Sequence, residues 1–305
     1  MTQQQQPTVV AIDLGSNSFH LLEATADQDH RLRPLTALAR KVQLALDMDA
    51  GGMAPAAIER GLECLREFAS YCRQLPPERV RVVGTQALRV APNRDIFIKA
   101  AERILNHPIA IISGDEEARL AYLGVTADIG DDGERLVADI GGASTELVAG
   151  RDAEIHQLAS LQLGCVSWLR FFPGGDISER ALGEAIACAR EAFDSASGRF
   201  AGNWSATGCS GTLLAVGAVL QNQGWSDGAI TRQGLERMLE ALLQFERIAE
   251  VHFQGLSEDR RGIFASGTAI VLALFQSLHI ERMELSSYGL REGVARELLQ
   301  GFPGA

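Results

Sequence analysis

The chain has 305 residues, 46% of them apolar and 22% charged, which is room for two domains with ordinary globular cores. A net charge of −11 argues against a general nucleic-acid binder, which needs a basic face. Any polyanionic ligand would have to be held by local amides, helix N-termini, a few Arg and Lys side chains, and a metal. Five scattered cysteines without a Cys-x-x-Cys pair argue against disulfides or a thiolate metal centre, and are expected as core residues of a protein in a reducing compartment, the cytoplasm. The opening Met-Thr-Gln-Gln-Gln-Gln-Pro has no basic or strongly apolar region, so no secretory signal is expected. No apolar run reaches membrane-spanning length.

Residues 3–6 read as a frayed tail. Residues 9–14 and 19–24 predict a first hairpin, and 35–46 a third strand that carries Arg40 and Lys41. Pro55 opens a helix whose apolar residues Ile58, Leu62, Leu65, Phe68 and Cys72 fall on one face. Residues 79–83 predict a fourth strand, ending in Gly84-Thr85-Gln86-Ala87-Leu88-Arg89. Asn93 is placed to cap a helix through 105, and 109–112 form a short strand. Ser113-Gly114-Asp115-Glu116-Glu117 then open a helix through 123, with acids in its first turn and Ser113 or Asp115 as cap. Residues 130–133 mark a boundary.

The second half repeats this order. Strands are expected at 136–140, 144–149 and 153–163, and Ser178 caps a helix towards 200. A strand at 204–207 ends in Gly208-Cys209-Ser210-Gly211-Thr212, which opens a helix over 213–220. Thr231 caps a helix through 248, Ser257 begins one towards 278, and 283–286 and 289–299 are the last strand and helix. The domains expected are 1–127 and 128–305.

The organising stretch is 136–148. An apolar strand ends in Asp139, a turn of Gly141, Gly142 and Ala143 follows, and Ser144, Thr145 and Glu146 begin a return strand. Such a turn lets backbone N–H groups approach an oxyanion, and Asp139 with Glu146 offers oxygen ligands to a hard cation. An ordinary Gly hairpin remains open as the plainer reading. The pattern occurs twice, however. At an offset of 126 residues Asp13 falls on Asp139, Gly15 on Gly141, Ser18 on Ser144 and Leu21 on Leu147. That is the mark of duplicated halves, whose turns would together make a phosphate-sized cleft. Gly208 to Thr212 is a third turn of this kind, at a helix N-terminus.

These residues carry a resemblance. Asp13-Leu14-Gly15-Ser16-Asn17-Ser18-Phe19-His20, Gly84 to Arg89, Ile112 to Leu120, Asp139 to Leu147, Leu163-Gly164-Cys165-Val166, Ser210-Gly211-Thr212 and Leu290-Arg291-Glu292-Gly293 resemble, in order and over nearly the whole chain, the exopolyphosphatase/guanosine pentaphosphate phosphohydrolase family. The resemblance implies an α/β fold of two ribonuclease-H-like domains of the actin/Hsp70/sugar kinase superfamily, with an interdomain cleft and the C-terminal helix, about 289–305, packed back on the first domain.

It also implies roles. Glu117 would be the base that activates water, and Arg89 a phosphate contact. Ser16, Asn17 and Ser18, Gly141, Gly142, Ser144 and Thr145, and Ser210, Gly211 and Thr212 would bind phosphate. Asp139 and Glu146 would hold Mg2+. Taken alone, Glu117 also reads as a first-turn acid favoured by the helix dipole, and Glu116 is its near neighbour.

Two departures stand out. Ala143 replaces a usual third glycine, at about 1 kcal/mol if that position needs positive φ, and its methyl could crowd a phosphate. Ala265-Ser266-Gly267 stands where a Pro-Gly pair is usual. The chain resembles the short form of the family. The expected activity is release of the terminal phosphate of inorganic polyphosphate, with pppGpp hydrolysis as the close alternative. A non-enzymatic sensor and a kinase or ATPase of the same superfamily are the other classes considered. The expected partners are substrate only, with neither nucleic acid nor membrane, and an assembly compatible with a homodimer.

Overall fold

A computed structural model describes residues 7–28, 31–129 and 133–301. The stretches 3–6 and most of 130–133 lie outside the described residues. The chain divides into two compact units, residues 1–129 with 288–305 and residues 130–287.

In the first unit β1 (Val9–Leu14), β2 (Ser18–Ala26) and β3 (Leu32–Lys41) form an antiparallel meander. There follow α1 (Pro55–Cys72), β4 (Val80–Gly84), a short α2 (Gln86–Val90), α3 (Arg94–Leu105), β5 (Ile109–Ile111) and α4 (Gly114–Ile129). The sheet order is β3-β2-β1-β4-β5, with β4 and β5 parallel to β1. β1 is buried on both faces, so it reads as a continuous apolar run. Val10, Ile12 and Leu14 pack with Leu62, Leu65 and Phe68 of α1 and Phe97 of α3. Val9 and Ala11 pack with Leu120 of α4 and with Leu290, Val294 and Leu299 of the last helix, α9 (Leu290–Gln300).

The second unit repeats the plan. β6 (Glu134–Ile140), β7 (Thr145–Arg151) and β8 (Glu154–Leu161) form the meander. After α5 (Glu179–Ser197) come β9 (Ser205–Cys209), α6 (Gly211–Asn222), β10 (Ile230–Thr231), α7 (Arg232–Leu242), α8 (Glu258–Ser277) and β11 (Arg282–Leu285). The order β10-β11-β9-β6-β7-β8, read from β8, is the order of the first sheet with β10 added at the edge. Two sheets of this order, flanked by helices, are the expected ribonuclease-H-like arrangement. The duplication extends to register: Asp13 pairs across its hairpin with His20, and Asp139 across its own with Glu146. α8 runs through the core and is buried from Ile263 to Phe275, so it shows little one-sided pattern. No helix among the described residues is long and apolar enough to cross a membrane.

Several boundaries differ from expectation for local reasons. β3 stops at Lys41, not 46, because the chain leaves the ladder: the amides of Val42 and Gln43 both donate to the Asn17 carbonyl, and Ala45 donates to that of Ser16. Asn93 does not cap α3 with its side chain. Its amide instead pairs with Met53, accepting from the backbone N–H and donating to the carbonyl at 2.9 Å each. α7 ends at Leu242, well before 248, and α4 continues to Ile129. Ser178 and Thr231 cap as expected, accepting from Ala181 and Gly234 at 3.1 Å each.

Candidate active site

In the first unit the C-terminal ends of the three parallel strands are level, since Leu14 pairs with Gly84 and Gly84 with Ile111. The three segments leaving those ends carry Ser16 to Ser18, Thr85 to Arg89, and Ser113 to Glu117. Loops at this edge of a parallel sheet are where α/β folds build ligand sites.

Glu117 lies in the first turn of α4 and is 8% exposed. Its Oε2 accepts from Arg89 Nη1 at 2.8 Å. Arg89 is aimed by two further bonds, from Nε to Gln86 Oε1 and from Nη1 to the Ile112 carbonyl, each 2.9 Å. Its Nη2 is buried and has no hydrogen-bond partner among the described residues, which leaves a guanidinium donor beside the carboxylate. Burial pushes the Glu117 carboxyl above its usual range, and Arg89 opposes that shift without cancelling it.

Glu116 is different. It accepts from Arg119 at 2.8 and 2.9 Å and from Arg81 at 3.2 Å. The hydrogen bonds from Arg119, and then the one from Arg81, hold it below its ordinary value despite partial burial. Of the adjacent pair, the buried, raised Glu117 is the better proton acceptor and Glu116 is committed to structure.

The two hairpin turns share a backbone arrangement that the sequence did not reveal. In the first, residues 42–45 tie down the carbonyls of Ser16 and Asn17 from behind. In the second, Cys165 donates to the Gly141 carbonyl at 3.0 Å, and Val166 and Ser167 donate to that of Gly142 at 2.8 and 3.1 Å. Among the described residues, the amides of Ser16 and Asn17, and those of Gly142, Ala143 and Ser144, donate to no backbone carbonyl in the turns and loops. Carbonyls held away and N–H groups left available make an anion-binding concavity. Asn17 Nδ2 donates to Ser18 Oγ at 3.1 Å.

Gly164 permits the second turn its support, for a Cβ there would lie 2.4 Å from Ala143 N and from the Gly142 carbonyl carbon. Ala143 itself is not among the positive-φ residues, so the expected backbone cost of replacing glycine does not arise. Thr145 is fully buried, and its hydroxyl donates to the Leu163 carbonyl at 2.8 Å. A phosphate contact by that hydroxyl would have to displace this bond.

Strand ends also gather the remaining second-unit residues. Asp139 pairs with Glu146 on one side and with Cys209 on the other, which sets the acid between the 141–144 turn and the turn at Ser210, Gly211 and Thr212. Ser210 has φ 112° and ψ 153°, a region nearly reserved for glycine and costly for serine. Its Oγ caps α6 by accepting from Leu213 N at 3.5 Å. Thr212 hydrogen-bonds the Cys165 thiol, whose burial raises its pKa.

Arg260, in the first turn of α8, was missed from sequence. Its guanidinium lies over Gly211, where a Cβ would be 1.7 Å from Nη2. It lies outside the 265–267 stretch that stood out in the sequence, so no local pattern marked it. Ser266, in the 265–267 stretch, donates to the Cys165 carbonyl at 2.6 Å and so ties α8 to the segment behind the second turn.

The donor chemistry fits a hard divalent cation. Asp139 and Glu146 stand opposite each other across the hairpin, and Ser160 Oγ donates to Glu146 Oε1 at 2.8 Å. No cluster of three or more His, Cys, Asp or Glu able to hold a metal occurs among the described residues. Two carboxylates completed by water and phosphate oxygens is how Mg2+ is commonly bound.

Comparison with known proteins agrees with this plan. The profile of the Ppx/GppA phosphatase family matches residues 24–302. A guanosine-5'-triphosphate,3'-diphosphate pyrophosphatase of Aeromonas salmonicida strain A449 is 42% identical over 297 residues, 96% of this chain and 60% of that one. A protein of the same name from Vibrio vulnificus strain YJ016 is 39% identical over 96% of this chain and 59% of its own. The chain thus spans about three-fifths of the length of these curated relatives. Among solved structures, an exopolyphosphatase from Cytophaga hutchinsonii superposes with a TM-score of 0.86 at 22% identity, covering 97% of this chain and 99% of that one. The Aquifex aeolicus Ppx/GppA protein gives 0.80 at 23%, covering 98% and 100%. These two likenesses concern the fold. By its sequence match over most of its length, the chain belongs to the Ppx/GppA phosphatase family.

Proposed function

We propose that the chain is a phosphoanhydride hydrolase that uses water to remove a terminal phosphate, with pppGpp as the leading substrate. The observation that carries the reading is the Glu117–Arg89 pair, a buried carboxylate 2.8 Å from a guanidinium that keeps one buried donor without a partner among the described residues. The sequence alone puts polyphosphate first with pppGpp as the close alternative, since both substrates end in an anhydride-linked phosphate and no motif separates them. The name shared by relatives at 39–42% identity supports pppGpp instead. The exopolyphosphatase of 22% identity supports only the fold, so polyphosphate is the second substrate to test.

In this reading Glu117 accepts a proton from water as its oxygen attacks the terminal phosphorus. Burial makes the carboxylate more basic than a surface one, and Arg89 opposes that shift without cancelling it. Arg89 Nη2 takes a phosphate oxygen. Within the second unit, the amides of the 141–144 turn and the N-terminus of α6, with Arg260 beside it, are suited to bind phosphate groups. Asp139 and Glu146 would hold Mg2+, which when bound neutralises charge on the anhydride oxygens.

The test is orthophosphate release by the purified chain from pppGpp, polyphosphates of graded length and ATP, with Mg2+ or with EDTA. Metal-dependent release from pppGpp above the others is expected. Tight binding without release from any of them would replace this reading with a sensor.

A further inference from the structure

The pair that carries the proposed chemistry is assembled from two elements. Arg89 follows β4 through α2, and Glu117 opens α4. A charge network spans the same two elements just outside the pair. Arg81 lies on β4, and Arg119 lies two residues beyond Glu117 on α4. Glu116 accepts from both guanidiniums. So does Glu297 of α9, taking Arg81 Nη1 on Oε2 and Arg119 Nη2 on Oε1. All four side chains are half-buried.

Glu297 is held at a fixed depth by its own helix. α9 crosses α4 backbone to backbone: a Cβ on Gly124 would lie 1.9 Å from the Gly289 carbonyl oxygen, and one on Gly293 would lie 1.9 Å from that of Leu120. Arg296 adds bonds to the Leu123 carbonyl at 3.1 Å and Thr126 Oγ1 at 3.2 Å. The N-terminus of α9 is pinned by buried Glu292, which accepts from Gly289 N at 2.8 Å and Arg291 Nε at 2.6 Å. A carboxylate on so constrained a helix, gripping one arginine from each element, fixes the offset between β4 and α4.

We infer that Glu297 is a positioning residue: it sets the spacing of β4 and α4 through Arg81 and Arg119, and thereby the alignment of the Glu117 carboxylate with Arg89. Its kinetic consequence rests on the function proposed above. Loss of one bridging carboxylate leaves Glu116 spanning the same arginines, so Glu117 shifts but is not released. A small misplacement of a reacting group costs roughly tenfold in rate when larger ones cost about a hundredfold.

The test is Glu297→Gln, with Glu63→Gln on the exposed face of α1 as control. kcat should fall about tenfold with KM within about twofold. In a Glu117→Gln background the same substitution should have no further effect, since residues acting through one group are not additive. Independently of substrate, a 13C-detected titration of the Glu117 carboxyl should move upward in Glu297→Gln and stay put in the control, because a loosened Arg89 opposes burial less. If the wild-type chain hydrolyses neither pppGpp nor polyphosphate, the function fails and the titration still decides the positioning. A titration unchanged from wild type overturns the inference whatever the kinetics, as does an equal loss of rate in the presence and absence of Glu117. Should the glutamine variant not fold, Glu297→Asp keeps the charge, shortens the reach by one methylene, and is read by the same titration.

Discussion

Glu117→Gln removes a proton acceptor while leaving an oxygen for Arg89. The structure makes this a clean perturbation: the side chain is 8% exposed, its volume hardly changes, and an amide oxygen can accept the 2.8 Å bond from Arg89 Nη1. Substrate binding should therefore survive, with KM within about threefold, whereas loss of general-base catalysis costs about 10²–10⁴ in kcat, equivalent to roughly 3–5 kcal/mol at 1.36 kcal/mol per decade. Orthophosphate release from pppGpp at saturating Mg2+ measures both parameters. A kcat within about tenfold of wild type would refute the assignment of the base, since Asp115 of this turn is exposed and Glu116 is held low by arginines.

The same variant carries a thermodynamic signature. Burial raises the folded-state pKa of Glu117 above its unfolded value, so its favourable contribution is fully present below the unfolded pKa, about 4.3. It is lost as pH rises through the folded pKa. Glutamine has no such dependence. Urea titrations should thus show the stability of Glu117→Gln relative to wild type increasing from about pH 4 towards neutrality. A difference independent of pH would mean that Glu117 is not held above its ordinary range.

Three further substitutions test other parts of the site. Ser210→Gly relieves a φ of 112° worth about 1–3 kcal/mol and costs only a few tenths as a cap. Urea denaturation should show a gain near 1 kcal/mol, and a loss of that size would contradict the strain. Gly164→Ala drives a methyl to within 2.4 Å of Ala143 N; unfolding should show about 1–3 kcal/mol lost, and the displaced turn should raise KM for pppGpp at least about tenfold. Glu146→Gln removes one of two expected metal ligands, so the Mn2+ concentration for half-maximal activation should rise by about 10–100-fold, while an unchanged titration would place the metal elsewhere.

Much of the fold was legible because the signals were local. Strands β1 and β6 end in an acid and a small-residue turn, and their repetition at one offset marked the duplicated halves. α1 announced itself by Pro55 and a one-sided apolar stripe, and Ser178 and Thr231 by cap chemistry. What was hidden depended on distant contacts. α2 is five residues long, too short to form on its own, and exists because it is built onto β4. The support given to the two phosphate-type turns by residues 42–45 and 165–167 is a backbone matter that no side-chain pattern encodes. Arg260 meets Gly211 across some fifty residues of chain, so only the fold brings them together. Ala143 shows the converse: the family pattern raised the question of a positive φ at this position, which the backbone there does not have.

The central claim is that water attacks the outermost phosphorus, with Glu117 taking its proton. Hydrolysis of pppGpp in 18O-enriched water, followed by mass spectrometry of both products and of the protein, tests this directly. The account predicts one 18O atom in the released orthophosphate and none in the remaining nucleotide or in Glu117. Label in the nucleotide would mean attack at the inner phosphorus, and label in the Glu117 carboxyl would mean a covalent phosphoryl-enzyme; either result contradicts the mechanism proposed for this site.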